Sequence, residues 1–120
     1  MAIPDLAKAC KSIGLVAMEG ISREHYPMVK KLGMTISLVG SHGFKNGPVD
    51  SENHAECRKK LKDAIELCAK EGYKRVITFT GMSKKGISDT AATNNCIDLW
   101  KSVLPKAEKH GVTLCLEHLN

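Results

Sequence analysis

Four short apolar runs alternate with four segments of helical periodicity along the chain, and very few folds accommodate that alternation. The runs span residues 15–18, 34–39, 76–80 and 112–116, and each is largely apolar, as expected for strands covered on both faces. Each connection is long enough to hold a helix, which favours parallel pairing with right-handed crossovers. The sequence therefore predicts an α/β fold with four parallel strands alternating with helices.

The four helical segments are marked by apolar spacing and by a glycine shortly after each. Pro27 requires the second helix to be short or to begin close to it. The third helix begins at Asp50 or Ser51, and the fourth begins at Asp89 and should be kinked or divided by Pro105. The predicted buried faces of these last two helices are Cys57, Leu61, Ala64, Ile65 and Cys68, then Ala92, Cys96, Leu99, Val103 and Ala107.

The length of 120 residues suits one modest domain, residues 1–120, without a linker that would divide it. An apolar fraction of 42% is too high for a disordered chain. No apolar run approaches the roughly 18–20 residues of a membrane helix. Residues 1–6 lack the basic start and long apolar block of a secretory signal, so we expect a soluble, cytoplasmic chain.

Cysteine usage agrees with that location. The count is odd, no two cysteines form a C-x-x-C pair, and each lies within an apolar stripe. This pattern favours small core residues in a reducing compartment over a disulfide framework or a zinc ribbon. The residues are Cys10, Cys57, Cys68, Cys96 and Cys115.

The net charge of +5 does not indicate a nucleic-acid partner. It comes from 15 lysines and only three arginines, the lysines are dispersed over the helices, and aromatic residues make up 4% of the chain. Nucleic-acid binders favour clustered arginines and aromatic stacking platforms. We therefore expect no nucleic acid and no membrane as partner, and at most a general attraction of small anionic substrates.

Polar residues follow the predicted strands at their carboxyl ends, where α/β proteins place their ligands. They are Glu19, His42 with Gly43, Thr80 with Gly81, and then Glu117, His118 and Asn120. Because parallel neighbouring strands end at one edge of a sheet, we expect these residues to converge. A carboxylate there can serve as a hard-metal ligand or a general base, and a histidine or asparagine can orient a substrate oxygen.

Each candidate also has a structural interpretation. Glu19 can be a solvated residue at a sheet edge, and His42 a loop histidine with a backbone partner. His54 lies in the first turn of a helix, which favours a capping or surface role. Glu117 and His118 should point to opposite faces of their strand, because side chains alternate. The glycines can let a ligand approach the backbone or can simply allow a tight turn.

Sequence motifs of other enzyme classes are absent. Residues 81–86 lack the closing Gly-Lys-Ser/Thr of a P-loop. Neither G-x-S-x-G nor H-E-x-x-H occurs, which gives no support to a serine hydrolase or a zinc protease.

Three segments carry a family resemblance: "GLVAMEGISREHYPMVKKLGMTISLVGSHG", "NHAECRKKLKDAIELCAKEGYKRVITFTG" and "NNCIDLWKSVLPKAEKHGVTLCLEHLN". Together they resemble the hydroxypyruvate isomerase-like branch of the xylose isomerase-like TIM barrels. The most specific part is the ending that follows "GVTLC". The resemblance implies a partial (β/α)8 barrel whose parent isomerises or epimerises small sugars and hydroxy-keto acids, such as hydroxypyruvate to tartronate semialdehyde. A small open flavodoxin-like sheet is the alternative fold.

The same resemblance implies roles for individual residues. Glu117 matches a family glutamate that binds a divalent metal, Mg²⁺ or Mn²⁺, and takes part in proton transfer through an enediolate. His42 and Asn120 match positions near the substrate, and we add Gly81 as a residue where backbone can approach it. A full barrel has eight strands, and one carboxylate cannot hold such a metal selectively. We therefore expect the chain alone to be a truncated, inactive form that binds no metal.

Three functions remain open at this point. The chain belongs to an isomerase of the hydroxypyruvate type, to a sugar epimerase or abasic-site endonuclease-like metal enzyme on the same barrel, or to a non-catalytic half barrel. In the last case it pairs with a second copy or with a partner chain. The exposed edges of a four-stranded sheet favour such pairing in all three cases.

Overall fold

The computed structural model describes residues 1–118, and within them helices and parallel strands alternate as the apolar pattern predicts. Two single 3-10 turns, at Arg23–His25 and Ser51–Asn53, lead into the second and third helices. No helix in this range is long and apolar enough to cross a membrane. In chain order the elements are α1 Ile3–Ser12, β1 Ala17–Glu19, α2 Tyr26–Lys31, β2 Thr35–Leu38, α3 His54–Glu71, β3 Arg75–Thr78, α4 Asp89–Lys109 and β4 Thr113–Leu116.

The four strands form two parallel pairs that a single bridge joins. β1 pairs with β2 and β3 pairs with β4, both in parallel. Val39, directly after β2, bridges to Val76 of β3. Its N–H donates to the Arg75 carbonyl at 2.9 Å, and its carbonyl accepts from Ile77 N–H at 3.0 Å. The order across the molecule is therefore β1-β2-β3-β4, as expected for successive units of a barrel.

A β-bulge interrupts the first pair next to the edge where the strands end. Met18 pairs with Ile36, but Glu19 pairs with Leu38, so Ser37 is one residue too many on β2. An extra residue bends the strand and changes the direction of the side chains that follow it. As a result Glu19 and Leu38, rather than Glu19 and Ser37, are register partners at the strand ends.

The core lies between the strands and the helices. The predicted face of α3 is buried throughout, from Cys57 to Cys68. On α4 the residues Cys96, Leu99, Val103 and Ala107 are buried, whereas Ala92 is only half-buried. Gly72 ends α3 in the left-handed conformation, with φ of +80°, and its N–H donates to the Cys68 carbonyl. The buried faces of α3 and α4 follow from the helical spacing of their apolar residues.

Two predictions of local structure were wrong. Leu15 and Val16 are 47% and 72% exposed and precede β1, which begins at Ala17. Pro105 does not divide α4, which runs unbroken to Lys109, whereas the alternative of a kink stays a prediction. Both Pro105 and Lys101, whose carbonyl loses its helical donor, are exposed. Water can satisfy that carbonyl, so the cost of the proline at this position is modest.

The cysteines are free, and most of them belong to the core. Cys57, Cys68 and Cys96 are buried, while Cys10 and Cys115 are half-buried. Burial raises the pKa of the Cys68 thiol to about 11, so this group stays protonated and unreactive at neutral pH. The prediction that the cysteines are core residues is confirmed for Cys57, Cys68 and Cys96.

Candidate functional site

A cleft of about 430 Å³ opens at the carboxyl ends of all four strands. It is the place where the sequence predicts that polar residues converge. Its walls combine apolar side chains from β2 and β3 with carboxylates from the two outer strands. Among the residues that line it are Glu19, Leu38, His42, Ile77, Phe79 and Glu117.

Glu117 directly follows β4 and is held to its neighbour β3 through the backbone. Its N–H donates to the Thr78 carbonyl at 2.9 Å, which extends the parallel ladder by one step beyond β4. The residue is exposed and contributes to the lining of the cleft. The backbone is thus fixed by the sheet, while the carboxylate is accessible to a small molecule.

Glu19 brings a second carboxylate to the cleft from the opposite outer strand. The hydroxyl of Ser37, the bulged residue, donates to its Oε2 at 2.6 Å. Glu19 itself is exposed. The bulge therefore supplies the hydroxyl that orients Glu19. The side chain is both exposed to solvent and part of the cleft lining, so the two interpretations of Glu19 given above are compatible.

His42 is buried, only 3% exposed, and both of its ring nitrogens have protein partners. Nδ1 lies 3.1 Å from the Gly43 carbonyl and Nε2 lies 2.9 Å from Thr78 Oγ1. Because a carbonyl only accepts, Nδ1 carries the proton and Nε2 accepts the Thr78 hydroxyl. The Trp100 indole in turn donates to Thr78 Oγ1 at 3.0 Å. The ring is thus fixed by a chain of three hydrogen bonds at the cleft wall.

This arrangement matches the interpretation of His42 as a loop histidine with a backbone partner, and its role toward a substrate stays a prediction. Burial lowers the pKa of His42, although the Gly43 carbonyl acts in the opposite direction. The imidazole is therefore neutral at neutral pH. A neutral ring presents a polar but uncharged wall beside the carboxylates.

The lowered pKa of His42 has a measurable consequence for stability. Below about pH 6.5 the unfolded chain binds a proton at His42 that the folded chain does not, so the free energy of unfolding should fall as pH falls. Urea unfolding at several pH values measures this. His42→Gln should lose that part of the pH dependence, whereas His110→Gln, at an exposed residue, should retain it. Equal pH profiles for wild type and His42→Gln would contradict the buried, neutral ring.

Gly81 is not brought to this cleft. It adjoins a separate groove of about 440 Å³ between the loop after β3 and α4. Its φ is +97°, and a Cβ placed on it would lie 2.6 Å from the backbone of Gly47. The glycine allows a close crossing of two backbones, which corresponds to the structural alternative of a tight turn. The role of Gly81 in substrate binding stays a prediction, and Gly81 does not line this cleft.

The remaining candidates are distributed as follows. Asn120 lies outside the described residues. His118 is exposed and is not part of the cleft lining. His54 Nε2 lies 3.0 Å from the Pro48 carbonyl and secures the loop that precedes α3, in keeping with a structural role. Thr80 donates to the neighbouring Gly81 carbonyl at 3.2 Å.

Sequence reasoning missed three residues that shape the site. Ser37 orients Glu19, and Thr78 with Trp100 fixes His42. Thr78 had one signal in the sequence, since it is a hydroxyl residue inside an apolar run and a buried hydroxyl needs a partner. The bulge at Ser37 left no comparable signal.

The divalent metal that the family resemblance implies needs more ligands than the described residues bring together. Within residues 1–118, no three histidine, cysteine or acidic side chains lie close enough together to hold an ion. The cleft contributes two carboxylates, whereas Mg²⁺ or Mn²⁺ requires about six oxygen or nitrogen ligands. The residues present do not fit a complete metal site.

An open parallel sheet with helices between its strands and carboxylates at its carboxyl edge is the architecture of part of an α/β barrel. Residues 7–120 match the family described as xylose isomerase-like TIM barrel. The chain belongs to that family. This establishes the predicted partial barrel and removes the flavodoxin-like alternative, whereas assignment to the hydroxypyruvate isomerase branch goes beyond the match.

Solved structures give the same fold. 3-Keto-D-glucoside 4-epimerase YcjR from E. coli superposes with a TM-score of 0.78 at 18% identity, over 98% of this chain and 51% of that one. D-Psicose 3-epimerase from Clostridium cellulolyticum H10, solved with D-tagatose, gives 0.75 at 17% identity, over 100% and 48%. A xylose isomerase-like TIM barrel protein from Mycobacterium smegmatis, solved with magnesium, gives 0.69 at 15%, over 98% and 46%.

The chain therefore spans about half the length of the solved structures that it matches. A search of the curated proteins found no match. At identities below one fifth these likenesses describe the fold, and the chemistry has to be argued from the cleft.

Proposed function

We propose that this chain forms one half of the active site of a sugar or hydroxy-keto acid isomerase of the hydroxypyruvate isomerase type. The reaction interconverts hydroxypyruvate and tartronate semialdehyde by moving a proton between adjacent carbons through an enediolate. Glu117 acts as the acid/base group in this proposal. The observation that carries it is the position of Glu117 in a cleft at the carboxyl edge of the barrel strands.

The chemistry requires a base beside the carbon that loses its proton. A carboxylate on a fixed backbone meets that requirement, because the ladder to Thr78 holds Glu117 while its side chain stays accessible. Both nitrogens of the neutral His42 are occupied within the protein, so its ring lines the cleft without adding a charge. Ile77 and Phe79 form an apolar floor. A cleft of about 430 Å³ has room for a substrate of three to six carbons.

We further propose that the chain by itself, as a monomer, does not turn over substrate. Its cleft has one wall of strands and two carboxylates, and water has access from the open side. The completed barrel, meaning this chain together with four further strands, closes the site. In that barrel we propose a divalent cation with Glu117 as one ligand and the rest outside residues 1–118, a proposal that the magnesium in the M. smegmatis structure supports. The five free thiols support a cytoplasmic location.

A sugar epimerase is the second candidate, and the structural likeness to two sugar epimerases favours it. Epimerisation also begins with proton removal from a carbon next to a carbonyl. It differs in the return of the proton, which goes to the opposite face of the same carbon. The same glutamate serves either reaction, so the product distinguishes the two.

Product analysis by NMR of the completed barrel in D₂O tests the proposal. With hydroxypyruvate we expect tartronate semialdehyde, with deuterium at the carbon that receives the proton. With D-psicose or D-tagatose we expect no inversion. Inversion of a ketohexose without turnover of hydroxypyruvate would establish the epimerase instead, and turnover of neither would overturn both.

A further inference from the structure

A second pocket, of about 340 Å³, adjoins the cleft at the same edge of the sheet. It lies between the segments that follow β1 and β2 and the middle of α3, and we call it the rim pocket. The residues that line both the rim pocket and the cleft are Ile21, Tyr26, Gly40 and Ser41. The residues that line the rim pocket but not the cleft are Ser22, Arg23, Lys60 and Asp63. Because the two cavities share a wall, a ligand in the cleft can extend into the rim pocket.

Arg23 brings a positive charge to the rim pocket. Within residues 1–118, no carboxylate lies within ion-pair distance of its guanidinium. Its Nη2 instead donates to the Gly40 carbonyl at 2.7 Å, which fixes the group against the wall shared with the cleft. A carbonyl is a neutral acceptor, so the guanidinium keeps its full charge. Its planar fork of five N–H donors then has further donors for the oxygens of a carboxylate or a phosphate.

Lys60 brings a second positive charge from α3. Its Nζ lies 3.2 Å from Glu56 Oε1, one helical turn away, and the two side chains are 49% and 63% exposed. An exposed ion pair of this kind contributes little to stability, so an anionic ligand can compete with Glu56 for the ammonium. The charge of Lys60 also reaches the cleft wall. Burial is the main cause of the lowered pKa of His42, the Gly43 carbonyl opposes it, and Lys60 adds to the lowering.

The other polar residues of the rim pocket define where an anion can lie in it. Among the described residues that line this pocket, Asp63 carries the single negative charge. Its carboxylate repels an anion and can accept a hydrogen bond from a ligand hydroxyl, so the anion belongs beside Arg23. The Ser41 hydroxyl is engaged by the Ile77 carbonyl. The Ser22 hydroxyl makes no capping hydrogen bond to the turn that follows it and can donate to a ligand.

We propose that the rim pocket binds the anionic end of the substrate, with Arg23 as its main partner and Lys60 as the second. This inference rests on the proposed function and deepens it, because it restricts the substrates of the cleft to anions. The cleft carboxylates Glu19 and Glu117 repel an anionic substrate, and the adjoining positive charges offset that repulsion. Hydroxypyruvate carries a carboxylate for this subsite, whereas a neutral ketohexose leaves it unfilled. A phosphate monoester offers a guanidinium the same kind of oxygen acceptors, so the experiment separates the two groups.

The first experiment titrates the ¹⁵N-labelled 120-residue chain, at one fixed salt concentration, with three small compounds. Glycerol, glycerate and glycerol 3-phosphate each have three carbons and differ in their charged group. Glycerate and glycerol 3-phosphate should shift the amide signals of Arg23, Gly40 and Lys60 in a saturable manner, and glycerol should not. The tighter of the two anions identifies the group that the subsite takes, and the proposed function predicts the carboxylate.

The second experiment repeats the titration with variants. Arg23→Gln should weaken anion binding about tenfold or more, and Lys60→Gln about threefold, since the guanidinium binds through directed hydrogen bonds and the ammonium mainly through its charge. Asp63→Asn should tighten binding about threefold by removing a like charge, a gain that partial unfolding cannot mimic. Arg75→Gln and Lys59→Gln are the matched controls. Both residues are exposed and lie outside the rim pocket, and their substitution should leave binding unchanged.

If neither anion shifted these amides, the proposal would be wrong. Equal weakening by Arg23→Gln and Arg75→Gln would also overturn it, because it would indicate a general attraction of anions by the net charge. These measurements are separate from the turnover assay of the completed barrel. Turnover of hydroxypyruvate without anion binding at Arg23 would overturn the subsite and leave the proposed function intact. Anion binding without turnover of hydroxypyruvate would retain the subsite and overturn the proposed isomerase.

Discussion

Replacing Glu117 by glutamine should lower the kcat of the completed barrel by about a thousandfold and leave its fold intact. The amide keeps the size of the side chain and can still accept a hydrogen bond, but it cannot take a proton from carbon. The backbone contact from Glu117 to Thr78 is unaffected by the substitution. The loss should therefore appear in the chemical step rather than in folding. Steady-state kinetics with hydroxypyruvate, alongside circular dichroism, measure both.

A matched substitution separates this effect from the general loss of a negative charge. Glu108→Gln, at an exposed residue in the last turn of α4, changes the charge equally, but the length of β4 separates this residue from the cleft. It should keep full activity. Exchange of the substrate hydrogen with D₂O should fall in parallel with kcat for Glu117→Gln. A Glu117→Gln enzyme within a few-fold of wild type would exclude Glu117 as the proton-transfer group.

Gly81→Ala should destabilise the chain by about 3 kcal/mol or more, which makes it the largest stability effect expected here. The φ of +97° disfavours any residue with a Cβ, and the new methyl group would lie 2.6 Å from Gly47. To relieve the clash, the loop carrying Gly47 must move away from the end of β3. That movement also breaks the hydrogen bond from Val49 N–H to the Thr80 carbonyl, 3.0 Å long.

Gly43→Ala is the control for this prediction. A Cβ on Gly43 meets nothing within 4 Å and Gly43 has no positive φ, so its substitution should change stability by less than about 0.5 kcal/mol. Denaturant unfolding at one fixed protein concentration compares the two variants. If Gly81→Ala were as stable as Gly43→Ala but raised KM, the close backbone crossing would be wrong and the predicted substrate contact of Gly81 would be supported.

Helices and most strand positions followed from the sequence because their signal is local. The spacing of apolar residues in α3 depends only on the helical repeat, and it identified the buried face from Cys57 to Cys68 correctly. The same local reasoning failed at Leu15 and Val16, which are as apolar as a strand but have no neighbour to cover them within the described residues. Apolar character indicates that a segment can be buried, and packing decides whether it is.

For the site, the sequence predicted which strand ends lie at one edge of the sheet, and the roles of the residues there stay a prediction. Glu19, His42 and Glu117 reach one cleft because parallel strands end together. A backbone partner of His42 was predicted, but its side-chain partner was not predictable, because Thr78 is 36 residues away along the chain and Trp100 joins through Thr78. Gly81 was predicted to let the backbone approach the substrate. A glycine at a strand end is equally compatible with a close approach of two backbone segments, and the sequence does not distinguish the two.

The amino-acid pattern alone determined that the chain is α/β, that its strands are parallel, and which helix faces are buried. All three depend on the periodicity of neighbouring residues. Only the tertiary structure decided the bulge at Ser37, the neutral, fully bonded state of His42, and the crossing of Gly47 and Gly81. These features depend on contacts between residues far apart in the chain, where register and packing, rather than local preference, set the geometry.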